Sequence, residues 1–104
     1  AISLTKSQSS NDLIVISIPD YAFTPFGQSG PNPSNTSQEI DMYNNFAENY
    51  CLENDISFIN ITDITRLGLV NPALVASDNL HPSKLAYKKF VERIYPVALE
   101  KLFY

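Results

Sequence analysis

Apolar positions recur along this chain with two different periods, and the changes of period mark its elements. Leu13-Ile14-Val15-Ile16-Ser17-Ile18 is a nearly continuous β-branched run, ended by Pro19-Asp20. A run that is apolar on both faces is what a central strand of a parallel sheet requires. Ile56-Ser57-Phe58-Ile59-Asn60-Ile61 alternates more clearly and predicts a second strand. Between the two, Ile40, Tyr43, Ala47 and Tyr50 follow helical spacing, with Phe46 and Cys51 widening the stripe. Thr36-Ser37-Gln38-Glu39 fits a capping box that starts this helix at Thr36, and Asn54-Asp55 stops it after about Glu53. Tyr87, Val91, Ile94, Ala98 and Leu102 predict a C-terminal helix, which Pro96 should kink or divide.

The order is therefore β-loop-α-β-loop-α, an α/β arrangement. Strand, helix and strand in succession imply a parallel pair with a right-handed crossover. Two strands make a thin sheet, and the first is built to have a neighbour on each side. A partner chain or a further part of the same protein is expected to supply it. Two long connections leave the strands. Tyr21 to Ser37 carries Pro25, Gly27, Gly30, Pro31 and Pro33 but also Tyr21, Phe23 and Phe26. Aromatic residues in a loop leaving a strand's carboxyl end are placed either to line a ligand site or to cover the sheet edge. Thr62 to Leu80 is the second connection, with a short turn expected at Asn71-Pro72-Ala73-Leu74. The polar stretch 1–12 reads as a loop or a frayed end.

Composition narrows the function classes. With 104 residues the chain is at most one domain, and 44% hydrophobic residues suffice for a core. The net charge is −4 with seven Lys plus Arg and no basic stripe, which argues against nucleic acid or an anionic membrane surface as partner. No apolar run approaches the roughly 20 residues of a membrane span. The single Cys51 excludes an intrachain disulfide and is compatible with a reducing compartment such as the cytoplasm, without establishing one. On the apolar stripe, it reads as a core filler rather than a nucleophile.

The candidate chemistry lies in Asp78-Asn79-Leu80-His81-Pro82-Ser83, which holds the only histidine. An imidazole can serve as acid, base or metal ligand, and a carboxylate three residues away can fix its tautomer and stabilise its charged form. The segment follows the second strand's loop and precedes a helix, so it falls at the carboxyl edge of the sheet, where doubly wound proteins place their sites. Pro82 presets the helix entry, with Ser83 as an alternative N-cap. Spacing alone leaves a second reading open, in which Asp78 only closes the turn and His81 points to solvent. No metal site is expected: Asp63 and Asp78 with one His are too few ligands for zinc.

This block resembles the last motif of the SGNH (GDSL-type) esterase and lipase family, Asp-x-x-His, often followed by Pro. The resemblance extends backward through Ile16-Ser17-Ile18-Pro19-Asp20-Tyr21, Thr24-Pro25-Phe26-Gly27 and Phe58-Ile59-Asn60-Ile61-Thr62, in the family's order, over roughly residues 13–103. It implies the C-terminal half of a flavodoxin-like three-layer α/β/α sandwich, so that residues 1–104 form a single partial domain. It also implies ester hydrolysis by a Ser-His-Asp triad with no cofactor, His81 as general base and Asp78 as its orienting acid. Tyr21, Phe23 and Phe26 are expected in the wall around the acyl group of a small-molecule, lipid or carbohydrate ester. The family's Gly-Asp-Ser and Gly-x-Asn-Asp blocks do not occur in the chain. Nucleophile and oxyanion hole must then come from elsewhere, and the chain alone is expected to be inactive. A non-catalytic α/β module that pairs through its strand edge is the rival reading.

Overall fold

The computed structural model describes residues 13–103; the stretch 1–12 lies outside them. The strands are shorter than the apolar runs that encode them. Ile14–Ile16 forms β1 and Ser57–Ile59 forms β2. They pair in parallel, with Ile14 opposite Ser57, Val15 opposite Phe58 and Ile16 opposite Ile59. Both strands end early because the residues beyond them turn inward to bond each other. Ser17 donates from its hydroxyl to Asn60 Oδ1 (3.0 Å) and accepts from Ile61 N–H (2.7 Å), Thr62 N–H (3.1 Å) and Thr62 Oγ1 (2.9 Å). This buried hydroxyl replaces ladder bonds that a longer strand would have made.

The connection after β1 is more structured than expected. Tyr21–Phe23 makes one turn of 3-10 helix and Pro25–Gln28 a short helical turn, α1. The long helix α2 spans Pro33–Glu53 and so begins before Thr36. Its N-cap is Asn32, whose side chain accepts from Asn35 N–H (3.3 Å), and Pro33 occupies the first helical position. Asn-Pro is a helix-start signal in its own right, because proline's missing N–H costs nothing in the first turn. The expected C-terminus holds: Asn54 caps the helix and Asp55 follows with φ 57°. After β2 come the short helix α3, Thr62–Thr65, a 3-10 turn at Pro72–Leu74, and α4, Lys84–Phe103. Helix α4 continues through Pro96 without being divided.

Strand alternation assigns the two long helices to opposite faces. Ile14, Ile16 and Ile59 share a core with Ile61, Ile64 and Leu74 and with Ala86, Phe90, Ile94, Val97 and Ala98 of α4. Phe58, on the other face, borders a small polar cavity together with Asp41, Asn44, Asn45 and Glu48 of α2. The helical stripes were only half legible. In α4 the inward side chains are Ala86 and Phe90, with Ile94, Val97 and Ala98 half-buried, while Val91 and Leu102 are exposed and Tyr87, 53% exposed, rests edge-on against Phe90. In α2, Ile40 and Cys51 are buried, whereas Tyr43, Phe46 and Tyr50 are exposed. Each apolar set is wider than the single face that the thin sheet can cover.

More large apolar side chains are therefore exposed than buried. The radius of gyration is 14.9 Å, against about 13 Å for a compact domain of this length. Ser17 N–H donates to Ile59 C=O (3.0 Å), which fixes the ladder phase. Val15 and Ser17 face β2, while the main-chain groups of Ile14 and Ile16 face the outer edge. The Asp41/Glu48 flank of α2 borders the polar cavity beside Phe58 of β2, while Tyr43, Phe46 and Tyr50 of the same helix are exposed. No helix among the described residues is long and apolar enough to cross a membrane.

Candidate active site at the carboxyl end of the strands

The Asp78–His81 turn is built from its own first residue. Asp78 Oδ1 accepts from Leu80 N–H and His81 N–H, both at 2.9 Å. Asn79 sits between them at φ 63°, a conformation that asparagine tolerates better than most residues. His81 C=O accepts from Ala76 N–H (2.8 Å), and Ser83 N–H donates to Leu74 C=O (2.9 Å), closing the loop ahead of α4. Ser83 Oγ accepts from Ala86 N–H (3.2 Å) and so serves as the N-cap.

This geometry brings the expected pair together. Asp78 Oδ2 contacts Nδ1 of His81. The hydrogen bond to the imidazole, followed by the two backbone N–H bonds, lowers the Asp78 carboxyl to about 2. An ionised carboxylate only accepts, so the shared proton sits on Nδ1 and Nε2 carries the free lone pair of the neutral ring. The ring is open: the His81 side chain is 67% exposed and that of Asp78 48%. Water screens the pair at that exposure, so its present worth is orientation rather than stability.

Beside His81 lies a cavity of about 340 Å³ whose walls include Pro19, Tyr21, Leu74, Val75, Leu80 and Tyr87. Of the three aromatic residues expected here, the structure brings Tyr21 to the cavity. Phe23 and Phe26 are not among its lining residues, and Phe26 is 58% exposed. Phe26 instead touches the site through its backbone, donating N–H to Asn79 C=O (3.1 Å). Tyr87, Leu74, Val75 and Leu80 were not anticipated as walls. The sequence gives no local cue for them, because they become neighbours of Tyr21 only when the two long connections fold over one end of the sheet.

Beneath the cavity is an ion pair that the sequence did not reveal. Asp20 has a fully enclosed side chain, accepting from Ala22 N–H (3.0 Å), Ser37 Oγ (2.6 Å) and Arg66 Nε (3.0 Å). Arg66 also donates to Asp41 Oδ1 (2.7 Å). Burial opposes the charged guanidinium, but the hydrogen bonds to Asp41 and Asp20 outweigh it and raise the Arg66 pKa. On the surface, Arg93 pairs with Asp63 and lowers the pKa of that carboxyl.

The serines near the pair are committed elsewhere or exposed. Ser83 Oγ donates to Ala73 C=O (2.6 Å), Ser17 lies in the buried hub, and Ser77 is exposed. Cys51 is buried, and desolvation followed by the charge of Glu48 raises its thiol pKa, as suits a core side chain. Among the described residues no group of three or more His, Cys, Asp and Glu side chains could hold a metal ion. Comparison with family models, with curated proteins and with solved structures returned no match to this chain.

Proposed function

We propose that this chain is the C-terminal part of a serine ester hydrolase of SGNH type, contributing base and orienting acid to a triad. The observation that carries the reading is the Asp78–His81 contact at Nδ1, beside an apolar cavity at the carboxyl end of a parallel strand pair. In this reading His81 Nε2 takes the proton of a serine hydroxyl supplied from outside residues 1–104 and returns it to the leaving alcohol. Asp78 holds the Nδ1–H tautomer and stabilises the imidazolium between the two transfers. The cavity receives an apolar part of the ester, with Tyr21 and Tyr87 in its wall. The flavodoxin-like sandwich belongs to the same proposal: the outer edge of β1, unpaired among the described residues, and the exposed Tyr43, Phe46 and Tyr50 are where a further strand and helix fit.

The chain alone is expected to leave a short-chain nitrophenyl ester untouched, because base without nucleophile loses nearly all the acceleration. Turnover that Ser77→Ala abolishes would overturn this account of the missing serine. A Gly-Asp-Ser segment encoded upstream in the same reading frame is the positive test. In that longer protein His81→Gln should lower kcat by about 10⁴-fold or more, and unchanged kcat would refute the assignment.

A second reading rests on the β1 edge. Among the described residues no strand pairs with the outward-directed main-chain groups of Ile14 and Ile16, which suits pairing with another strand, with no catalysis involved. Under it, His81→Gln leaves every activity of the longer protein intact while association is lost with changes at the edge.

A further inference from the structure

We propose that the short helical turn Pro25–Gln28 is the positioning element for the Asp78–His81 pair, and that Gly27 and Gly68 set its place. The inference rests on reading His81 and Asp78 as base and orienting acid. Its starting point is the exposure of the Asp78–His81 turn, whose bonds run mostly within residues 73–83. Among the described residues, the hydrogen bond tying that turn to the rest of the chain runs from Phe26 N–H to Asn79 C=O (3.1 Å). Asn79 is the left-handed residue at the apex, directly after Asp78. Moving this carbonyl rotates the peptide units on both sides and carries the carboxylate away from Nδ1.

The donor is held unusually closely. Thr24 Oγ1 accepts from Gly27 N–H (3.0 Å) and donates to Tyr21 C=O (2.6 Å), while Gln28 Nε2 donates to Ala22 C=O (2.7 Å). A Cβ on Gly27 would lie 1.9 Å from Tyr21 O and 2.7 Å from Ala22 Cα, both backbone atoms. No side chain can move aside to relieve that contact, so a methyl group must push α1 off the Tyr21–Phe23 turn. At a second point of the same loop, a Cβ on Gly68 would lie 2.4 Å from Phe23 O, again a backbone atom. The loop is thus gripped at two glycines, and Asp20 roots its start through Arg66 and through its own N–H to Thr65 Oγ1 (2.9 Å). Gly27 and Gly68 touch no substrate in this account; they act through Phe26 N–H on Asn79.

His81 is the only histidine, so its ring signals in a ¹⁵N-labelled sample of the full chain assign themselves. Gly27→Ala should shift the two ring nitrogens toward the pattern of Asp78→Asn, in which the carboxylate partner is gone. Gly30→Ala is the control, because its Cβ would meet Gly27 O at 3.4 Å, an ordinary contact, and its ring signals should match wild type. A folded Gly27→Ala chain with the wild-type ring pattern overturns the proposal. Should that variant fail to fold, amide exchange of the wild-type chain decides. Slow exchange of the Phe26 N–H supports the tether, and exchange at the rate of an open chain overturns it. None of these readouts uses ester turnover, so loss of the positioning proposal and loss of the hydrolase reading are separate results.

Discussion

Removing the Asp20 carboxylate tests whether the ground beneath the candidate site is as firmly built as its geometry indicates. In Asp20→Ala, Arg66 keeps Asp41 but loses its enclosed partner, and Ala22 N–H and Ser37 Oγ lose their acceptor. Each enclosed donor left without an acceptor costs about 1–3 kcal/mol, while Arg66, 29% exposed, still holds Asp41. A domain of this size has about 5–15 kcal/mol in total. The surface pair Arg93–Asp63, with side chains 41% and 53% exposed, provides the comparison within the same chain. Asp63→Ala should cost about 0.2–1 kcal/mol. Urea unfolding followed by far-UV circular dichroism reads both. At a slope of about 1.5 kcal/mol/M, a loss of 3 kcal/mol moves the midpoint by about 2 M. Asp20→Asn should fall between the two, since its amide oxygen still accepts from Ala22 N–H while the charge is lost. Equal midpoint shifts for Asp20→Ala and Asp63→Ala would refute the claim that enclosure makes Asp20 the stronger anchor.

Four further outcomes are expected. The Asp78 carboxyl, followed by ¹³C NMR, should titrate near 2; its folded value lies below the unfolded one of about 3.9, so its contribution is complete above about pH 4 and fades as pH falls toward 2. A carboxyl titrating near the unfolded value would count against the pairing, whereas Asp78→Asn should change stability little, because water screens the exposed pair. The chain alone should self-associate through the β1 edge and the exposed aromatic residues of α2, and Phe46→Lys should weaken this; a compact monomer at every concentration in size exclusion contradicts it. Pro96→Ala should stabilise α4 by about 1–3 kcal/mol in thermal unfolding, since Ala restores a donor to the helix interior and relieves the ring's clash. Cys51 should resist a thiol reagent in the native chain and react only on unfolding; fast native labelling would show that its burial is wrong.

The chain's own pattern determined the local features. Continuous β-branched runs specified strands, and their separation by a long helical stripe specified a parallel pair. Asn54-Asp55 ended α2, and Asp78, Pro82 and Ser83 set the turn and the start of α4, because caps and Asx turns act across two to four residues. The Asp78–His81 contact was legible for the same reason. Tertiary structure alone decided which of several apolar faces became the core. In α2 and α4 the apolar arc exceeds one face, so periodicity identifies the helices without selecting Ile40 over Phe46 or Phe90 over Val91; the strand pair makes that choice. It also decided the Asp20–Arg66 pair, the Ser17 hub that shortens both strands, and the choice of Tyr21 over Phe23 and Phe26 at the cavity. Those partners lie tens of residues apart, and nothing in local spacing encodes a contact that exists only after the two connections close over the end of the sheet.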